Sequence, residues 1–176
     1  NEFDGIIIKV IPYYNQMVAA LIDTIHFDKD APIRIIDLGC GTGTIAKKIS
    51  EKYPNSKIVC LDIASNMIDV ARYKLSGHTE TEFIVGDFAS IEFEGKFDVV
   101  VSSLALHHIK NDYEKKKLYT KIYSILNDSG IFYNADVVLA STDYIQDINM
   151  NRWIEYINKT VPMDEIRSKW IPTYET

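Results

Sequence analysis

A chain of 176 residues that is 47% hydrophobic and 25% charged is long enough for one buried core and too apolar for a disordered segment. Its formal net charge of -6, with acidic and basic residues intermixed, offers no basic stripe for a phosphate backbone and disfavours nucleic acid as a partner. Residues 1–5 are polar, no apolar run nears the ~20 residues of a membrane span, and the only cysteines, Cys40 and Cys60, lack CxxC spacing. These features exclude zinc and disulfide scaffolds and predict a cytoplasmic protein with reduced thiols and no membrane partner.

The first thirty residues read as a helical cap, with helices over 3–11 and 13–27 and Pro12 interrupting the hydrogen-bond ladder between them. An apolar, β-branched run over 33–38 predicts a buried strand ending at Gly39, followed by a helix over 44–52. The pattern repeats with a strand over 56–61 and a helix over 65–75, for which Ser65 is the expected N-cap. Further strands are expected at 82–85, 97–101 and 130–138, and 89–96 reads as a turn or helical fragment. A helix is predicted over 113–126, placing Leu118, Ile122, Ile125 and Leu126 on one face. Beyond the fifth strand, Ile145, Ile148, Trp153, Ile154 and Ile157 have helical spacing over 143–158, and a shorter helix is expected over 164–170. Alternating strands and crossover helices predict an α/β fold with a doubly wound, largely parallel sheet. We read one domain over 1–176, with a cap over 1–30 and a helical segment over 143–176.

The chemistry is concentrated in Asp37-Leu38-Gly39-Cys40-Gly41-Thr42-Gly43, where a buried strand gives way to a helix. Glycines there let the backbone turn sharply and approach a nucleoside closely, while a carboxylate at the strand end can accept a hydrogen bond or attract a cation. This segment resembles the first motif of the class I S-adenosylmethionine-dependent methyltransferases, a Rossmann-like family. The other motifs follow in order. Asp62 closes the second strand, within Leu61-Asp62-Ile63-Ala64-Ser65-Asn66-Met67, and Gly86-Asp87-Phe88 closes the third. A lone Asp at a strand end is commonly a turn residue; three acidic strand ends in family order carry the argument.

The resemblance implies S-adenosylmethionine as cofactor, S-adenosylhomocysteine as product, and strand order 3-2-1-4-5. It implies a cofactor site built from Asp37, Gly39, Cys40, Gly41, Asp62, Ile63, Met67, Asp87 and Phe88. In that site Asp62 receives the ribose hydroxyls and Asp87 the adenine amino group. The segment Phe97 to His108 resembles the family's fourth strand and loop, which places Ser103 and Leu104 beside the methionine part. The cap implies an aromatic or hydroxyl contact, for which Tyr14 is preferred over Tyr13; a tyrosine packed on one helix face is the equally weighted alternative. Trp153, Tyr156 and Trp170 are expected to line a substrate pocket or to be buried, with burial favoured for at least one. His107 and His108 are candidates for catalysis, since a neutral imidazole can take a proton from an incoming hydroxyl or amine. A His pair without a catalytic part is the competing reading. His26 and His78 read as structural or solvated.

The family's sheet has seven strands, and this sequence supplies residues for five, so the last two are expected to be missing. The acidic charge and the helical cap favour a small-molecule methyl acceptor; oligomeric state is not indicated. Two other functions use the same pocket. The N-terminal helices and 164–170 also resemble carboxy-S-adenosylmethionine synthases, which place an arginine in the helical region after the fifth strand; Ile157 aligns there, with Arg152 and Lys159 nearby but unmatched. A non-catalytic S-adenosylmethionine-binding subunit is the other. A nicotinamide enzyme would want G-x-G-x-x-G, where this chain has Thr44 at the sixth position, and no G-K-[ST] follows as a P-loop requires.

Overall fold

The computed structural model describes residues 2–174. Its strands are β1 (Arg34–Leu38), β2 (Lys57–Asp62), β3 (Thr81–Val85), β4 (Phe97–Ser103) and β5 (Leu126–Ala135). They form a single sheet in the order β3-β2-β1-β4-β5, and every neighbouring pair runs parallel. This is the order expected from the sequence. It places the reversal of strand order between β1 and β4, where open α/β sheets carry their crevice.

The helices are α1 (Glu2–Val10), α2 (Tyr14–Thr24), α3 (Thr44–Lys52), α4 (Ser65–Lys74), α5 (Asp112–Ile125), α6 (Asp143–Ile157), α7 (Met163–Glu165) and α8 (Ile171–Tyr174). No single helix among the described residues is long and apolar enough to cross a membrane. The chain divides into two compact units, a sheet unit over Val18–Val137 and a helical unit made of residues 2–17 and 138–174.

In the sheet unit the middle strands are apolar through their centres because both faces are covered, with polar residues confined to their ends. Ile36, Leu38, Val59, Leu61 and Val100 form one core with Leu118, Ile122 and Ile125 of α5, and each such side chain contributes about 1.5–3 kcal/mol on burial. The alternate residues Ile35, Ile58, Cys60 and Val99 are equally buried, and α3 and α4 pack on β2. Lys52 Nζ donates to the carbonyls of Ile22 and Ile25 at 2.7 and 2.9 Å, satisfying acceptors at and just past the end of α2.

Several boundaries depart from the sequence reading, among them the second cap helix, which ends at Thr24 and not at residue 27. The fifth strand begins at Leu126, not at residue 130, and ends at Ala135. Leu126 pairs with Phe97 and Ile131 with Val99, so a bulge absorbs the polar residues Asn127 to Gly130 that read as a turn. Ser65 is not the cap of α4: the N-cap is Ala64, which has no side-chain cap bond, and Asp62 Oδ1 accepts the Ala64 N–H at 2.9 Å. The predicted helix over 164–170 is divided between α7 and a π-helical stretch, Ile166–Trp170, that leads into α8.

The helical unit has its own core of Val10, Ile157, Val161 and Ile166. Trp153, Tyr156 and Trp170 are half-buried against it. Trp153 Nε1 donates to the Val10 carbonyl at 2.8 Å and the Tyr156 hydroxyl to that of Ile8 at 3.3 Å. Thr142 Oγ1 accepts from Ile145 N at 3.3 Å and caps α6.

Candidate active site

The loops that leave β1, β2, β3 and β4 meet at the carboxyl edge of the sheet. Gly39, Gly41 and Gly43 all have left-handed backbone, with φ of 72°, 53° and 75°. A Cβ on Gly39 would collide with Ala105 beyond β4 and lie 3.7 Å from Phe88 beyond β3, so the two flanking loops close on it. A Cβ on Gly41 would meet nothing within 4 Å. The loop is therefore packed beneath and open above.

Asp62 ties this loop to the end of β2: its Oδ2 accepts the Gly41 N–H at 2.8 Å while Oδ1 holds Ala64. Each carboxylate oxygen keeps further acceptor capacity. Ile63 beside it is 73% exposed, an unusual position for a large aliphatic side chain, and Met67 and Phe88 are half-buried. Asp87 is exposed and folded into its own turn, with Oδ1 accepting the Ala89 N–H at 2.8 Å.

Asp37 is different in kind. It is 1% exposed, and neither carboxylate oxygen has a hydrogen-bond partner among the described residues. Burial pushes its pKa up to about 7; the nearby Ala46 amide opposes that shift and the Asp62 charge adds to it. Ser103 Oγ, at the end of β4, is likewise buried without a partner among the described residues. Leu104 follows with φ of 52° and donates its N–H to the Ala135 carbonyl at 3.0 Å. Cys40 and Cys60 are free and buried. The Cys40 thiol is pushed far up by its contact with Cys60 and by burial, so it is no nucleophile.

His107 and His108 lie in a 3₁₀ turn, Leu106–His108, just past β4. Their rings are 4.1 Å apart, and the structure separates their environments. His107 Nδ1 lies 2.6 Å from Asp136 Oδ1, and its backbone N–H donates to Asp136 Oδ2 at 3.0 Å. His108 is exposed, with its pKa lowered by desolvation and by the neighbouring His107. Asp136 escaped the sequence reading because it fell within the expected strand 130–138. Its signal was available: it is a fourth acidic residue at a strand end, after Asp37, Asp62 and Asp87. Tyr14 belongs to the helical unit and is half-buried. His26 and His78 bond locally, to the Thr24 carbonyl and to Thr81 Oγ1, each at 2.8 Å.

Residues 35–130 match the model of the methyltransferase domain. The chain belongs to the class I S-adenosylmethionine-dependent methyltransferase family. It is 35% identical over 96 residues to malonyl-[acyl-carrier protein] O-methyltransferase 1 of Ilyobacter polytropus, covering 54% of this chain and 35% of that one. It is 26% identical over 170 residues to the carboxy-S-adenosyl-L-methionine synthase of Campylobacter lari, covering 96% and 70%. The structure of Streptomyces venezuelae DesVI shares the fold, with a TM-score of 0.65 at 18% identity over 80% of this chain and 58% of that one. This methyltransferase chain spans about a third to a half of the first curated relatives it matches.

Proposed function

We propose that the chain binds S-adenosylmethionine and supports transfer of its methyl group to a small-molecule acceptor. The observation that carries this reading is the buried carboxylate of Asp37, without a hydrogen-bond partner among the described residues, two residues before a glycine loop that has open space at Gly41. Such a group is costly to keep unless a ligand supplies a donor or positive charge, and S-adenosylmethionine carries an ammonium and a sulfonium. When bound, it supplies an electrophilic methyl group. Gly39 and Gly41 allow close backbone approach, Asp62 offers acceptors to ribose hydroxyls, and Ile63, Met67 and Phe88 offer apolar surface to a base. Asp87 is assigned to the adenine amino group and Ser103 with Leu104 to the methionine part. The main task of the site is then to orient the reactants and exclude water.

Relatives named for malonyl-[acyl-carrier protein] and demethylmenaquinone methylation support an acceptor that is a small molecule or a small group carried on a protein. The carboxy-S-adenosylmethionine synthase reading is supported by the 96% coverage of this chain. Against it, Ile157, which aligns with that branch's arginine, is 0% exposed within an aliphatic cluster and holds no anion.

Calorimetric titration with S-adenosylmethionine tests the proposal, with NADH as control ligand. Wild type is expected to bind, and Asp62→Ala to weaken binding by ~30-fold or more, as loss of hydrogen bonds to a charged group implies. Circular dichroism confirms that the variant is folded. Equal affinity in the two proteins, or no binding by folded wild type, sinks the proposal; release of S-adenosylhomocysteine on adding acceptors separates an enzyme from a binding subunit.

A further inference from the structure

We propose that Asp136 is a positioning residue that presents His107 as a general base, so that the methyl acceptor is a protic nucleophile, a hydroxyl, phenol or amine, and not a carboxylate. This rests on the methyl-transfer reading above.

Asp136 grips one residue twice, through the imidazole Nδ1 at 2.6 Å and the backbone N–H at 3.0 Å. The Val137 N–H adds a third bond to Oδ1 at 2.9 Å. The carboxylate is 8% exposed and the imidazole 32% exposed, which buries the anchor and leaves the ring accessible. Burial alone raises the Asp136 pKa, but its bonds with His107 and the two amides outweigh that effect and hold it below the ordinary carboxylate value. An ionised carboxylate only accepts, so Nδ1 carries the proton and Nε2 holds the free lone pair. The same division of labour orients histidine bases elsewhere. The other titratable or charged groups near the pair are His108, whose ring lies 4.1 Å from that of His107, and Lys110. The pKa of His108 is lowered, which favours its neutral form and limits repulsion of a protonated His107.

The step balances as follows. The acceptor's O–H or N–H proton passes to Nε2 as its lone pair forms the bond to the methyl carbon. The carbon–sulfur pair stays on sulfur, which becomes a neutral thioether. Asp136 balances the imidazolium until the proton leaves to water. A carboxylate acceptor carries no proton at neutral pH and gives such a base nothing to remove.

Histidine-selective nitrogen correlation spectra, recorded over a pH series with and without S-adenosylmethionine, test the positioning. In wild type His107 is expected as the Nδ1–H tautomer, and Asp136→Asn is expected to abolish that preference, because a neutral amide no longer requires a donor at Nδ1. His108→Asn should preserve the tautomer. Calorimetry on the same proteins should show S-adenosylmethionine binding equally to wild type and Asp136→Asn. Catechol, benzylamine and malonyl-N-acetylcysteamine then serve as probe acceptors. Turnover is expected with catechol or benzylamine. In Asp136→Asn kcat should fall ~100-fold with KM little changed. A His107 tautomer indifferent to Asp136→Asn, or turnover of the malonyl thioester alone, overturns the proposal. Failure of wild type to bind S-adenosylmethionine defeats instead the reading on which it rests.

Discussion

Replacing Asp37 with asparagine is expected to raise the stability of the ligand-free protein at pH 8 and to weaken S-adenosylmethionine binding by at least tenfold. The wild-type carboxyl has its pKa raised from 3.8 to about 7 by burial. The folded state therefore holds a proton that the unfolded state has released between these values, and stability falls as pH rises through that window. About 3 pH units at ~1.4 kcal/mol each set an upper bound of roughly 4 kcal/mol on the loss, complete above the folded pKa. Asparagine keeps the shape without the charge, although its buried amide gives back about 1–3 kcal/mol if it finds no acceptor. The difference between the two proteins in urea unfolding, followed from pH 4 to pH 8, isolates this group from the other carboxylates. A difference curve that is flat in pH refutes the assignment of an uncompensated buried charge. A stabilised variant that loses its ligand identifies a site that sacrifices stability for binding.

Two glycines in one loop are expected to respond oppositely to the same added methyl group. Gly39→Ala places a Cβ against Ala105 and forces an alanine into a φ of 72°. Left-handed strain of about 1–2 kcal/mol and overpacking of about 1–3 kcal/mol combine to roughly 3 kcal/mol, a fall of about 10 °C in Tm for a chain of this size. Gly41→Ala has a φ of 53° but open space around the new atom, so only the strain applies and the variant should fold. It should nevertheless bind S-adenosylmethionine poorly, because that space is where the proposed ligand meets the backbone. Thermal unfolding beside calorimetry separates the two. A Gly41→Ala protein that binds as wild type, or a Gly39→Ala protein as stable as Gly41→Ala, contradicts this account of the loop.

The strand order and the three acidic strand ends were legible because buried parallel strands leave unbroken apolar runs and the glycines mark where they stop. Asp37, Asp62 and Asp87 could be found in this way, yet their states could not. The sequence does not show that Asp62 is bonded to Gly41 and Ala64, that Asp87 closes its own turn, or that Asp37 has no partner. These are consequences of tertiary packing. The fifth strand was misplaced because Asn127 to Gly130 have turn composition, and the bulge that accommodates them depends on pairing with β4. Asp136 was missed because it fell within the expected strand 130–138, and its partner His107 is 29 residues away. The Ser65 cap failed because Ala64 takes the N-cap position and Ser65 is already the first helical residue.

The long-range bonds also bear on the order of assembly. The Tyr133 hydroxyl donates to the Thr24 carbonyl at 2.8 Å, joining the first and last parts of the sheet unit across 109 residues. The bond from Trp153 to Val10 closes 143 residues. Closing so long a flexible loop is slow, because the entropy of the intervening chain is lost before any contact rewards it. Once Thr24 and Tyr133 are fixed, only short arms remain between them and the helices that pair. The helical unit is thus expected to form after the sheet unit, and amide exchange that is faster in its helices than in the strands would check it.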